Sequence, residues 1–197
     1  MEKINALDKV CPAPIIMAKR ALKETDEVEI LVDDDMAPQN LKKLADQKSY
    51  DYDVKKGDNN QFTVTLKKTE KSHDQAESSS LNDQGSSYIV VINTDIMGHG
   101  DDTLGKNLLH GFVSSLTEQD VLPDKILCYN GGVKLLVEGS DYLTDLKALE
   151  EAGVQVMGCG ACLDYFNLKD KLAVGTITNM FSIVEMMRQQ NRIVRPD

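Results

Sequence analysis

Cysteine stands in two settings along this chain where sulfur chemistry is possible. In Val10-Cys11-Pro12-Ala13-Pro14 two prolines flanking Ala13 follow the thiol, and Ile15, Ile16, Ala18, Ala21 and Leu22 then recur at helical spacing. Proline is tolerated in the first turn of a helix, where its missing N–H had no partner, so Pro12 and Pro14 predict a helix start with Cys11 at or just before the cap. Unpaired backbone N–H groups and the positive end of the helix dipole face that spot, and they favour a thiolate over a thiol. The bland alternative is a buried cysteine acting as a small hydrophobe.

The second setting is Gly158-Cys159-Gly160-Ala161-Cys162-Leu163-Asp164-Tyr165-Phe166, which follows the apolar run Val154-Gln155-Val156-Met157. Cys159 falls at the carboxyl end of a strand, with Cys162 one turn later on a helix that begins at Gly160. Such a C-x-x-C pair lowers the pKa of one thiol and can close a disulfide. A sulfur-accepting or redox site, half of a zinc site and plain packing all use this pattern. Zinc is the weaker reading, because a structural site takes four ligands and no second C-x-x-C is present. Packing suits Cys162 better than Cys159.

Other candidates carry less. Cys128 lies inside an apolar strand and reads as core. His99 (Gly-flanked, in a loop) and His110 (on a helix) lack metal-ligand spacing, and no metal or cofactor is expected. His99 can still approach Cys159 as an acid–base helper, since both fall near strand ends. His73 reads as solvated. Asn130-Gly131-Gly132 offers backbone N–H groups to an anion, although a turn needs the same residues. Asp33, Asp34 and Asp35 read as a solvated helix start rather than a metal site.

The elements that position these residues fall into two groups. Residues 1–68 alternate a strand near residues 3–6, the Cys11 helix to about Lys23, a strand at Val28–Val32, a helix with Pro38 in its first turn, and a hairpin. In the hairpin Tyr50, Tyr52 and Val54 alternate with polar residues, Gly57-Asp58-Asn59-Asn60 turns, and Phe62, Val64 and Leu66 alternate again. The order βαβαββ predicts a two-layer α/β sandwich. Residues 69–87 are polar, with Leu81 as the single large apolar residue, and read as a flexible linker. Residues 88–197 alternate strands and helices: Tyr88–Ile92, a helix with Leu104, Leu108, Leu109, Phe112, Val113 and Leu116, then Ile126–Tyr129. A helix capped by Ser140 and stopped by Gly153 follows, then the strand before Cys159, a strand at Leu172–Val174, and a last helix capped by Asn179. That alternation predicts a mostly parallel, three-layer α/β domain with its function at the carboxyl ends of the strands.

The totals narrow the class. The chain has 197 residues and a formal net charge of −10, which excludes a nucleic-acid backbone as the main partner. Basic and acidic residues number 12 and 13 up to residue 68, 1 and 4 in the linker, and 9 and 15 beyond it, so the last portion carries most of the acidity. No run approaches the roughly 20 apolar residues of a membrane span, and Met1-Glu2-Lys3-Ile4 opens no signal peptide. A cytoplasmic protein is expected, its four cysteines mostly reduced.

Cys11-Pro12-Ala13-Pro14 within βαβαββ resembles the TusA/SirA family of sulfur-carrier domains, whose CPxP cysteine carries a persulfide. Asp35 and Asn40 stand where that family usually has the proline of an Asp-Pro step and a helix aspartate. Tyr129-Asn130-Gly131-Gly132-Val133, Glu138-Gly139-Ser140, Gly158–Tyr165 and Val174-Gly175-Thr176-Ile177-Thr178-Asn179-Met180 resemble the DsrE/DsrF-like domains. That resemblance implies sulfur acceptance at Cys159 and a homo-oligomer, often a trimer or hexamer, formed through this domain. The two domains in this order resemble the YedF group, associated with selenium metabolism. The resulting expectation is a sulfur or selenium carrier rather than a turnover enzyme. Cys11 holds the atom as a persulfide or selenosulfide and passes it to or from Cys159, with Cys162 resolving. Donor and acceptor proteins are the expected partners, a cysteine desulfurase among possible donors. A linker of about 19 residues spans on the order of 25 Å as a coil, enough for one domain to reach the other's face. A thiol–disulfide protein built on Cys159 and Cys162, or a non-catalytic oligomeric scaffold, are the alternatives.

Overall fold

A computed structural model describes residues 1–9, 12–58, 60–69 and 87–197. Cys11, His73 and nearly all of the expected linker lie outside the described residues. The chain divides into two compact units, Met1–Asp83 and Gln84–Asp197.

In the first unit β1 (Glu2–Asn5), α1 (Ala13–Glu24), β2 (Glu27–Val32), α2 (Met36–Lys48), β3 (Asp51–Lys56) and β4 (Phe62–Lys67) follow one another. This is the expected βαβαββ order. The sheet runs β1-β2-β4-β3, with β1 parallel to β2 and the other pairs antiparallel. Alternation in β2 buries Val28, Ile30 and Val32 and leaves Glu27, Glu29 and Leu31 on the other face. The buried face meets Ala18, Ala21 and Leu22 of α1 and Leu41, Leu44 and Ala45 of α2. Each large aliphatic so buried contributes roughly 2 kcal/mol. The acidic run divides its labour. Asp34 Oδ1 accepts from the Met36 N–H at 2.9 Å at the start of α2, while the Asp33 carboxylate accepts from the Asp8 N–H at 3.1 and 3.2 Å.

The second unit contains β5 (Ile89–Ile92), α3 (Asp102–Leu116), β6 (Lys125–Cys128), a 3-10 segment (Asn130–Leu136), α4 (Leu143–Glu151), β7 (Gln155–Cys159), α5 (Gly160–Tyr165), β8 (Thr176–Thr178), α6 (Met180–Gln189) and β9 (Ile193–Val194). The described strands form one parallel sheet in the order β8-β7-β6-β5-β9. Successive connections step one way from β5 to β8 and then return across the sheet to β9. Right-handed crossovers place those two directions on opposite faces. All four residues of β5 are buried accordingly.

Three expectations need correction. The strand expected at Leu172–Val174 lies at Thr176–Thr178 instead. The N–H groups of Ala173 and Val174 both donate to the Leu136 carbonyl, at 2.8 and 3.2 Å, and Gly175 turns the chain at φ +82° before pairing can begin. Ser140 is not the cap of α4: that position is Tyr142. The Ser140 hydroxyl donates to the Leu135 carbonyl at 2.8 Å and accepts from the Tyr142 N–H at 3.3 Å, closing the turn before the helix. Finally β9, two residues long, was not expected at all. Gly153 does end α4, at φ +97°, and Asn179 does cap α6, its side chain accepting from the Ser182 N–H at 3.0 Å.

Asn179→Ala is expected to destabilise the second unit by about 1 kcal/mol, and Asn179→Ser by much less. The midpoint of denaturant unfolding followed by circular dichroism checks this.

Candidate functional site

In the first unit the site begins at Pro12, which caps α1 at φ −94° and ψ 7°. Its carbonyl accepts from Ile15 and Ile16 at 3.0 and 3.1 Å, while Pro14 is buried inside the first turn. The helix therefore starts where the two prolines predict, although Cys11 itself lies outside the described residues. The loop leading to it is held from two sides. Asn5 Oδ1 accepts from the Leu7 N–H at 3.1 Å, and Asp33 grips the Asp8 N–H, with Asp8 in the left-handed region at φ 59°. No sequence signal assigned Asp33 that task, because the contact joins residues 25 apart.

In the second unit Cys159 closes β7 and caps α5, and Cys162 follows on α5, as the spacing predicts. Register places Cys128 beside Gly158 and Cys159 beside Thr178. The two candidate thiols differ in access. Cys159 is 2% exposed and packed within the core cluster, whereas Cys162 is half-buried. The two are close enough for Cys159 to influence the Cys162 thiol. The Asn130 N–H donates to Cys162 Sγ at 3.1 Å, so the Asn130-Gly131-Gly132 turn does point a backbone donor at sulfur. Gly132 makes that turn possible: a Cβ there would stand 2.1 Å from the Ile92 carbonyl oxygen.

Burial pushes the Cys162 thiol above its ordinary value near 9; the Asn130 N–H pulls it down, and Cys159, by hydrogen bond and by charge, pushes it up again. The net direction at Cys162 is upward. Cys128 is wholly buried and pushed up to about 12, as suits the core residue expected there.

Lys134, on the same 3-10 segment as Asn130, was missed by sequence reasoning. Its ammonium pairs with Asp95 at 2.9 Å and lies 5.2 Å from the ring centre of Phe166, whose N–H donates to the Cys162 carbonyl at 3.1 Å. Lys134 and Asp95 line a cleft of about 310 Å³ with Lys106, His110 and Tyr142. The ring of His110 lies 5.6 Å from that of Tyr142. A lysine four residues after Asn130, before an apolar run, was the available signal. His99 is exposed in its loop, and among the described residues no contact joins it to either sulfur. Also among the described residues, no three His, Cys, Asp or Glu side chains are placed to share a metal ion, and no helix is long and apolar enough to cross a membrane.

A small βαβαββ sandwich joined in one chain to a parallel α/β sheet that ends a strand on paired thiols defines a two-unit, cysteine-bearing α/β protein. The chain belongs to the DsrE/DsrF-like family, whose model matches residues 88–196, and residues 2–68 match the model of sulfurtransferase TusA. A Methanocaldococcus jannaschii protein named as an inferred sulfur carrier is 28% identical over 71 residues, covering 34% of this chain and 95% of the relative. The crystal structure of a SirA-like protein from Desulfitobacterium hafniense is 40% identical, covering 36% of this chain and all of that one, with a TM-score of 0.34. The ychN protein of E. coli is 17% identical over 55% of this chain and 97% of its own, with a TM-score of 0.44. The family matches and the archaeal relative agree on sulfur trafficking in general terms.

Alkylation of Cys162 by iodoacetamide is expected to keep accelerating as pH rises past 9, because its proton leaves later than that of an ordinary thiol. Cys128 is expected to stay unmodified in the folded protein over the same range. Peptide mass spectrometry across a pH series checks both.

Proposed function

We propose that the chain is a two-unit chalcogen carrier. Cys11 holds sulfur or selenium as a persulfide or selenosulfide and exchanges it with the Cys159/Cys162 pair. The observation that carries this reading is the pair itself: Cys159 ends an inner strand, Cys162 follows three residues on, and a backbone N–H is aimed at the Cys162 sulfur. The helix start at Pro12 and the family match of residues 2–68 support the role of Cys11. A thiolate beside unpaired helix N–H groups is stabilised and attacks sulfane sulfur at neutral pH. Residues 69–87, as a flexible linker between domains 1–68 and 88–197, let the first thiol travel to the second. Partner proteins supply and remove the atom, a cysteine desulfurase being a fitting donor, in the cytoplasm where thiols stay reduced. Selenium enters through the likeness of this domain order to the YedF group.

The full chain is to be incubated with a cysteine desulfurase and cysteine, then mapped for persulfide by mass spectrometry. Label on Cys11 that disappears in Cys11→Ser is expected. Equal labelling of the two proteins overturns the carrier role of Cys11. The placement of the two thiols at a strand end and in the helix it caps also favours a second reading, a redox pair with no persulfide traffic. A reversible Cys159–Cys162 disulfide with no label on any cysteine selects that reading.

Self-association belongs to the same proposal. Ile177 of β8 and Met180, Phe181 and Val184 of α6 are exposed, Phe181 to 80%, and β8 is an open edge of the described sheet. Burying such a patch between copies removes apolar surface from water. Phe181→Asp is expected to lower the molar mass seen by sedimentation toward that of one chain, 21.8 kDa.

A further inference from the structure

We propose that Cys162 is the thiol that meets the incoming chalcogen, and that the buried Cys159 then discharges it as hydrosulfide or hydroselenide, leaving a Cys159–Cys162 disulfide. This rests on the reading of residues 88–197 as a chalcogen-handling unit. It reverses the order expected from sequence, in which Cys159 receives and Cys162 resolves.

Access decides the order. A donor persulfide presents its outer sulfur to a nucleophile that it can approach in line. Cys162 is half-buried and stands on the solvent side of the pair, whereas Cys159 is 2% exposed and enclosed by the core. The polar environment agrees. The Asn130 N–H is aimed at Cys162 Sγ from 3.1 Å, and Gly132 presses its turn against the Ile92 carbonyl, so the donor cannot drift.

The chemistry balances in two steps. The deprotonated Cys162 sulfur attacks the outer sulfur of a donor R–S–SH. The bond between that sulfur and R–S breaks, and R–S⁻ leaves with the electron pair and takes up a proton. No net oxidation occurs, and the sulfane sulfur now rides on Cys162. The Cys159 sulfur next attacks Cys162 Sγ. The bond from Sγ to the outer sulfur breaks, HS⁻ departs with the pair, and the proton of Cys159 passes to the leaving group or to solvent. The two protein thiols lose two electrons in forming the disulfide, and the sulfane sulfur gains them. An external dithiol then restores the reduced pair. Selenium follows the same accounting, with HSe⁻ as the leaving group.

Spacing permits the second step. Side chains three residues apart on a helix lie about 5–6 Å apart at Cβ, and a disulfide needs Cβ atoms about 3.5–4.5 Å apart, so closing the bond takes a local movement of about 1–2 Å at the start of the helix. Because Cys159 caps the helix that carries Cys162, the attack is intramolecular and has the advantage of high effective concentration. Burial of Cys159 keeps bulky thiols from intercepting it before the outer thiol is loaded.

The test uses the full chain carrying Cys11→Ser, reduced, with glutathione persulfide as donor. Rapid alkylation and peptide mass spectrometry locate the sulfane sulfur, and monobromobimane measures released sulfide. The expected result is sulfide release with formation of the Cys159–Cys162 disulfide. Adding Cys159→Ser should trap a persulfide on Cys162 and cut sulfide release about tenfold or more, and adding Cys162→Ser should slow uptake by a similar factor, the scale of losing the attacking or resolving thiol. Uptake on Cys159 at the parental rate in the Cys162→Ser protein overturns the proposal. So does a parent that keeps its persulfide and releases no sulfide, or that takes up none. A second measurement leaves the pair intact: iodoacetamide should modify Cys162 before Cys159, and the reverse order overturns the assignment even if a serine variant folds poorly. Cys11 is absent throughout, so these outcomes are independent of whether Cys11 is a carrier.

Discussion

The arrangement of the second unit depends on one close approach, that of Gly132 to the carbonyl of Ile92. No side chain fits between them, so the 3-10 segment after β6 lies flat against the end of β5. From that position it presents the Asn130 N–H to the Cys162 sulfur and Lys134 to Asp95 and Phe166. Gly158, beside Cys128 in the sheet, is confined in a similar way by the Leu136 side chain, 2.9 Å from where a Cβ would be. Two residues without side chains thus let a short helical segment and a strand end pack closely enough for a backbone group to reach sulfur. A larger residue at Gly132 would have to push the turn off the Ile92 carbonyl, whereas at Gly158 the neighbour is the movable end of Leu136.

The described part of the first unit is held by other means. There the loop before the thiol is held by carboxylate and amide side chains, Asp33 on the Asp8 N–H and Asn5 on the Leu7 N–H, and the helix start is set by Pro12 and Pro14. Proline removes backbone freedom before folding, so the turn costs less entropy to order than a flexible one would. In the second unit Cys159 belongs to a junction between a strand and a helix. That is where backbone N–H groups are left over and must find an acceptor.

Much of this was legible from the residues. The alternation in β2 and the hairpin strands, the two prolines of α1, the continuous apolar run of β5 and the caps at Asn179 and Gly153 are local signals, and each element lies where it was expected. What was not legible is what long-range geometry decides. Leu172-Ala173-Val174 has the composition of a strand, but its N–H groups are taken by Leu136 and the sheet begins only after Gly175. Ile193–Val194 is too short for any period to show and is a strand because β5 has an open edge beside it. Ser140 has the chemistry of a cap and uses it one turn early. The C-x-x-C spacing located both thiols correctly but carried no information about which of them faces solvent, since burial of Cys159 comes from the core closing around the end of β7.

Three cysteines of one sheet region are therefore set apart by their distance from the strand end. Cys128, in register with Gly158, is surrounded by hydrocarbon, and desolvation holds its proton to about pH 12. A thiol in that state packs like a small aliphatic group. Cys159, at the last residue of the neighbouring strand, is equally enclosed but touches another sulfur. Cys162, one turn further, gains a backbone donor and partial access to solvent. Desolvation weakens along this series while opportunities for hydrogen bonding grow, and reactivity toward an outside molecule follows the second trend. An outer thiol backed by an inner one also answers a difficulty of sulfane sulfur, which is lost to any competing thiol that can reach it. Under the order proposed above, the thiol that stands beside Cys162 is the one the fold itself supplies.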